Sequence, residues 1–201
     1  MTLTARRILT GFGILLAVAF GIAVSRASAA RSTVALPDYG LLQEFSLTDQ
    51  HRRPVRLTDL RGTVWVADFV FTRCAGQCPM MTARMAELQR RFERTPQLRL
   101  VSITVDPAHD TPEALAAYAN HAGAGERWQF LTGEADAVIA LARDGFHLGV
   151  SQDGTVQEPI THSVRLVLVD RHGRLRGYYD ADEAEAMRHL ERDIRRLLGQ
   201  G

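Results

Sequence analysis

The chain has two cysteines, Cys74 and Cys78, four residues apart in Phe71-Thr72-Arg73-Cys74-Ala75-Gly76-Gln77-Cys78-Pro79. An apolar run, Thr63 to Phe71, precedes them and a helix-like stretch follows. A thiol pair where a strand hands over to a helix can do two kinds of chemistry: thiol–disulfide exchange, or binding of a soft metal ion. Side chains four apart on a helix carry β-carbons about 5–6 Å apart, so one ion can bridge both sulfurs. A disulfide needs about 4 Å and therefore some local closing. The positive end of the helix dipole and its free amides stabilise thiolate, which both chemistries require. Two sulfurs are too few for a closed, four-ligand zinc site. A soft, low-coordinate ion such as Cu(I) needs only two or three ligands. The reading without chemistry is a plain stabilising disulfide, which adds little across so short a loop on the chain-entropy account. Three residues between the cysteines, rather than the usual two, loosen the geometry for rapid disulfide cycling.

A third ligand would have to be a histidine. His51 and His172 sit in polar turns, His109 in a polar loop before a helix, and His121 near that helix's end. His147 follows a helix terminus, and His189 is one residue off the apolar stripe of the last helix. His162 opens the strand Ser163 to Val169 after a polar stretch from Gln152 to Glu158. In a thioredoxin-like fold that strand's start lies beside the helix N-terminus that carries the cysteines. Position alone leaves two readings open: a ligand, or a strand-edge histidine with no role.

The elements that must position these residues follow from periodicity. Phe45–Leu47 and Val55–Leu57 read as short strands around the turn Asp49-Gln50-His51-Arg52. The β-forming run Thr63–Phe71 suits a central strand covered on both faces. Met81, Met85, Leu88 and Phe92 recur at helical spacing after Pro79. Leu98–Val105 is a further strand. Thr111-Pro112-Glu113 is a helix start, with a capping hydroxyl, proline at the first position and an early acid. Trp128–Leu131 reads as a strand and Glu134–Asp144 as a helix capped by Gly145. Ser163–Val169 and Leu175–Tyr179 flank the turn Asp170-Arg171-His172-Gly173 as a hairpin. Asp180 with Glu183 has the form of a capping box, and Met187, Leu190, Ile194 and Leu197 line a final helix. Strands alternating with helices and closing on a hairpin make a mixed α/β sheet flanked by helices. A thiol pair after the first long strand points to a thioredoxin-like architecture, with a peroxiredoxin-like elaboration in the first hairpin and inserted helix.

The 201 residues suffice for one domain with a sizeable core. A net charge of +1 argues against a polyanionic partner, so no nucleic acid is expected. The chain has no lysine; its 24 basic residues are all arginine, a usage that needs no functional explanation. Arg6 and Arg7 precede an uncharged, mostly apolar stretch from Ile8 to Val24, and Ala27-Ser28-Ala29 fits a small-residue cleavage rule. Residues 1–30 read either as a retained transmembrane anchor or as a cleaved signal, 31–40 as a linker, and 41–201 as the thioredoxin-like domain. The expected place is the inner membrane, single-pass with the domain facing the periplasm; the alternative is a soluble periplasmic protein. Outside the cytoplasm a thiol pair tends to oxidise, so it needs a reductant or a bound metal to stay open.

Taken together, four segments resemble the Sco/SenC family of copper proteins over most of residues 41–198. Phe45-Ser46-Leu47-Thr48-Asp49 is similar to the family's opening hairpin. Phe69-Val70-Phe71-Thr72-Arg73-Cys74 through Cys78-Pro79 is similar to its C-x-x-x-C-P site. Ser102-Ile103-Thr104-Val105-Asp106-Pro107-Ala108-His109-Asp110-Thr111-Pro112 resembles its aspartate-bearing segment, and Thr161-His162-Ser163 occupies the place of its single histidine. The resemblance implies a thioredoxin-like fold and a copper ion, Cu(I) or Cu(II), held by Cys74, Cys78 and His162. It implies as partner the CuA-bearing subunit of cytochrome c oxidase, or another exported copper protein. Asp106 and Asp110 match the family's aspartates, with loop capping or support of the site as open roles. Where the family often has proline after the first cysteine, this chain has Ala75 and then Gly76, a more flexible loop.

Two functions are therefore expected. One is a copper metallochaperone that assists maturation of the CuA centre. The alternative is a thiol–disulfide oxidoreductase in which Cys74 attacks and Cys78 resolves, possibly on the CuA cysteines. A peroxidase is a weak third: Thr72 lies two residues before Cys74, where a peroxiredoxin-type site has its hydroxyl three before.

Overall fold

The computed structural model of the protein describes residues 35–151 and 161–199. The readings of the N-terminal apolar run, its cleavage pattern and the stretch from Gln152 to Glu158 lie outside the described residues. Among the described residues no helix is long and apolar enough to cross a membrane.

The described residues form nine strands: β1 (Ser46–Asp49), β2 (Pro54–Arg56), β3 (Val64–Val70), β4 (Leu98–Thr104), β5 (Trp128–Thr132), β6 (Val150–Ser151), β7 (Thr161–His162), β8 (Arg165–Val169) and β9 (Leu175–Asp180). The helices are α1 (Leu57–Leu60), α2 (Cys78–Arg91), α3 (Pro112–Ala122), α4 (Ala135–Ala140) and α5 (Ala184–Leu198). Seven strands form one mixed sheet in the order β2-β1-β5-β4-β3-β8-β9. Its centre, β3, β4 and β5, is parallel; β8 runs antiparallel to β3, and both flanks are antiparallel hairpins.

Strand β3 occupies the middle because its residues suit burial on both sides, and every one of them is buried. Trp65, Ala67 and Phe69 face a core closed by α1, α4 and the first hairpin, with Leu47, Leu57, Val138 and Phe146 among its members. Val64 and Val66 face a second core shared with Met81, Met85 and Leu88 of α2, Leu115 of α3, and Leu190 and Ile194 of α5. Alternation along β3 thus divides one strand between two cores. Each fully buried large apolar side chain contributes about 1.5–3 kcal/mol by leaving water, so these two layers fix where the end of β3 can point.

Most expected elements are observed, and four differ. Leu57 leaves the strand and starts α1. Gly145 does not cap a helix; Leu141–Gly145 forms a wider π turn, where Gly145 is buried and a β-carbon would meet Leu141 Cδ1 at 2.9 Å. The capping box expected of Asp180 and Glu183 is absent: Glu183 is the N-cap of α5 but makes no side-chain cap bond. His162 does not open the strand that follows it. It belongs to the separate two-stranded ribbon β6–β7, opposite Val150, and β8 begins at Arg165.

Candidate functional site

The chain leaves β3 at Val70 and reaches Cys74 through Phe71, Thr72 and Arg73. Hydrogen bonds to three residues, Phe71, Asp110 and Asp106, fix this short path. Cys74 N–H donates to Phe71 O at 3.2 Å. Asp110, fully buried, accepts from Thr72 N–H at 3.1 Å and from the Thr72 hydroxyl at 2.5 Å. The same carboxylate accepts from the Thr104 hydroxyl at 2.5 Å, which ties the loop to the end of β4. Asp106 holds the next residue: its Oδ2 accepts from Arg73 Nε at 3.0 Å and Nη2 at 2.7 Å, while His109 Nδ1 lies 2.8 Å from Oδ1. Of the open roles for these aspartates, the structure supplies the loop-tying one for both.

Helix α2 begins at Cys78 itself. Its N-cap, Gln77, has helical φ and ψ and makes no side-chain cap bond, and there is no acid in the first turn. The backbone N–H of Cys78 donates to Cys74 Sγ at 3.4 Å. The Cys74 sulfur thus accepts from the first amide of the helix, at the positive end of its dipole.

The two sulfurs differ in access. Cys74 is half-buried and Cys78 fully buried. Burial pushes the Cys78 thiol well above its ordinary range, reinforced by its bond to Cys74 and partly opposed by the backbone of Phe71. Cys74 lies at one end of an open groove of about 560 Å³ between α2 and α3, lined also by Pro79, Ala83, Ala86 and Tyr118. A larger groove of about 1070 Å³ lies elsewhere, among Asp49, Arg53, Arg99 and Glu126, and includes neither cysteine. An outer thiol beside a groove and an inner thiol behind it have the arrangement that thiol–disulfide exchange requires of an attacking and a resolving sulfur. The same two sulfurs, as thiolates, are soft donors for one ion.

The structure brings Cys74 and Cys78 together. The backbone of His162 sits in the β6–β7 ribbon, and its side chain lies outside the description. Among the described residues no group of three His, Cys, Asp or Glu side chains is placed to hold a metal. Of the other histidines, the exposed His109 ring contacts Asp106 and the half-buried His189 ring lies 2.6 Å from Glu185.

One residue at this end of the sheet escaped the sequence reading. Asp68 stands six positions before Cys74, in the middle of β3, and is completely buried. The Ser102 side chain across the β3–β4 ladder is its hydrogen-bonding neighbour, although neither carboxyl oxygen makes a bond of standard geometry within the described residues. Burial raises its carboxyl to about 7, against a weaker opposing pull from Ser102 across the β3–β4 ladder. The signal that could have found it is a lone charge inside an apolar strand.

A family model described as SCO1/SenC matches residues 36–199 of this chain. A Stutzerimonas stutzeri protein named for copper binding is 32% identical over 152 residues, covering 73% of this chain and 72% of that protein. The crystal structure of a SCO1/SenC family lipoprotein from Bacillus anthracis superposes with a TM-score of 0.72 at 32% identity, covering 83% of this chain and 98% of that one. BsSco, described as a member of the Sco family of cytochrome c oxidase assembly proteins with a disulfide switch, superposes with a TM-score of 0.72 at 28% identity, covering 82% and 96%.

Proposed function

This chain belongs to the SCO1/SenC family, and on that premise we propose that it is a copper-binding assembly protein for cytochrome c oxidase, with copper as its cargo. Cys74 and Cys78 supply two soft donors and His162 the third. The observation that carries this reading is the 3.4 Å contact between the Cys78 amide and Cys74 Sγ, which sets both sulfurs at the positive end of α2. Two soft sulfur donors suit Cu(I), and three ligands leave the ion open to stepwise exchange with a partner's thiol. The domain from about residue 41 is proposed to work outside the cytoplasm, with residues 1–30 as anchor or cleaved signal. The apolar run Ile8–Val24 and the lipoprotein relative support this.

The test is an anaerobic Cu(I) titration of the full chain against a competing chelator. Cys74→Ser and Cys78→Ser are expected to weaken binding by about 100-fold or more, and His162→Ala by about 10–100-fold. Binding as tight as wild type in all three variants overturns the assignment.

A second reading, thiol–disulfide exchange with partner cysteines, is favoured by the contrast between half-buried Cys74 and fully buried Cys78. The disulfide switch described for BsSco supports it. One dithiol can serve both roles in turn.

A further inference from the structure

We propose that the groove between α2 and α3 seats an extended segment of the partner protein that carries an acidic side chain about five residues from the cysteine meeting Cys74. The inference rests on the exchange reading above, in which a partner's cysteine comes to Cys74, and adds how that partner is recognised.

The groove has a direction. Its wall on α2 includes Pro79, Ala83, Ala86 and Arg90, at intervals of four, three and four, so they form one stripe along the helix. Cys74 stands at the start of that stripe, where its sulfur accepts from the Cys78 amide. Arg90 stands in the last turn of α2. Helix α3 is tied alongside as the other wall. The hydroxyls of Thr82 and Tyr118 lie 2.7 Å apart across the groove. Farther along, Gln89 donates to Gly123 O at 2.9 Å and accepts from Gly125 N–H at 2.7 Å. Between these ties the walls carry the short side chains of Ala83, Ala86 and Ala122, which leaves the open volume of about 560 Å³. That is the size of a pre-formed binding site.

The charge at the far end is uncompensated. Arg90 and His121 line it, and both are exposed. The other two arginines of α2 have acids: Arg84 pairs with Glu87, and Arg91 with Glu87 and Glu191. Among the described residues no carboxylate pairs with Arg90 or His121, and none lines the groove. A thiol at one end, an alanine-walled middle and two unpaired basic groups at the other end define the occupant. It carries a cysteine, then small or apolar side chains, then an acid. Pro79 to Arg90 covers about 16 Å at the helical rise of about 1.5 Å per residue. An extended chain covers that length in about five residues, at about 3.3 Å each.

The test is the rate at which the reduced, metal-free full chain reacts with two synthetic peptides. Each has one central cysteine, activated as a mixed disulfide with an aromatic thiol. One peptide has glutamate at the fifth position on either side of the cysteine; the other has lysine there. Cys74 thiolate attacks the peptide sulfur, the disulfide breaks, and the aromatic thiolate that leaves is read by absorbance. Rates are taken relative to those of a small free thiol with the same peptide. At low salt the glutamate peptide should react about tenfold faster, and about 0.5 M salt should erase most of that advantage. Arg90→Glu should reverse the order, and the milder Arg90→Gln should cut the preference at least about threefold. Arg192→Glu, the same charge change at an exposed position of α5 outside the groove, should keep it. Equal rates for the two peptides overturn the inference and leave the exchange reading standing. So does a preference that survives in folded Arg90→Glu, or one lost equally in Arg192→Glu. A wild-type protein that reacts with neither peptide overturns both.

Discussion

Replacing Asp110 by alanine should loosen the loop that carries Cys74, at a cost the structure lets us work out. The carboxylate accepts three bonds: from Thr72 N–H, the Thr72 hydroxyl and the Thr104 hydroxyl. Bonds to a charged acceptor contribute about 1.5–3 kcal/mol each, but three around one group do not add. After the substitution the two hydroxyls can turn towards other acceptors, whereas the Thr72 N–H cannot move and becomes an unsatisfied donor. One stranded buried donor costs about 1–3 kcal/mol. With the lost bonds, the total should be about 3–5 kcal/mol. With a urea slope of about 2 kcal/mol per molar for a domain of this size, the unfolding midpoint drops by about 1.5–2.5 M. Thr104→Val removes one bond and should cost about a third as much. Asp110→Ala and Thr72→Val in one chain should cost clearly less than the sum of the two, because they share their bonds. A midpoint shift below about 0.5 M for Asp110→Ala, or strict additivity with Thr72→Val, would refute the view that Asp110 ties the loop.

Other outcomes can be checked with simple measurements. In reduced, metal-free protein an alkylating reagent should label Cys74 quickly and Cys78 only on unfolding, as followed by mass spectrometry; equal rates would contradict the burial contrast. Asp68 is a carboxyl raised in the fold from 3.8 to about 7. Between those values the folded form keeps a proton that the unfolded form gives up, so stability falls as pH rises through that window and levels off above it. Urea melts at about pH 5 and 8 should differ by about 2–4 kcal/mol from this group, and Asp68→Asn should remove the difference. Leu190→Ala, in the second core, should cost about 2–5 kcal/mol while leaving Cu(I) affinity unchanged.

Legibility varied with how local each determinant is. Strand β3 could be read because its apolar, β-forming residues are contiguous, and α2 because Met81, Met85 and Leu88 repeat at helical spacing. The start of α3 was legible in Thr111-Pro112-Glu113, and Thr111 indeed caps it, accepting from Ala114 N–H at 3.3 Å. The π turn at Leu141–Gly145 was not, because it depends on how tightly Gly145 packs against Leu141 and Leu42. The cysteine pair announced itself by residue type. The hold of Asp110 on Thr72 did not, since the two meet across 38 residues of sequence. Asp68 reads in the sequence as an interruption of a strand; only its complete burial turns it into a question of chemistry. The capping-box pattern of Asp180 and Glu183 is visible in the sequence, yet the backbone turns there through Glu183 N–H to Asp180 O at 3.2 Å.

The β6–β7 ribbon divides the molecule by lifetime. Among the described residues its pairing is two ladder pairs, Val150 with His162 and Ser151 with Thr161, and so short a ribbon is barely stable by itself. Its amides should exchange with deuterated water through small, frequent openings, while those of β3, flanked by β4 and β8, should wait for global unfolding. A ligand held in common by Cys74 and His162 would slow the ribbon's clock towards that of the sheet. The protection factor of the His162 region, measured with and without copper, thus reports occupancy from the backbone alone.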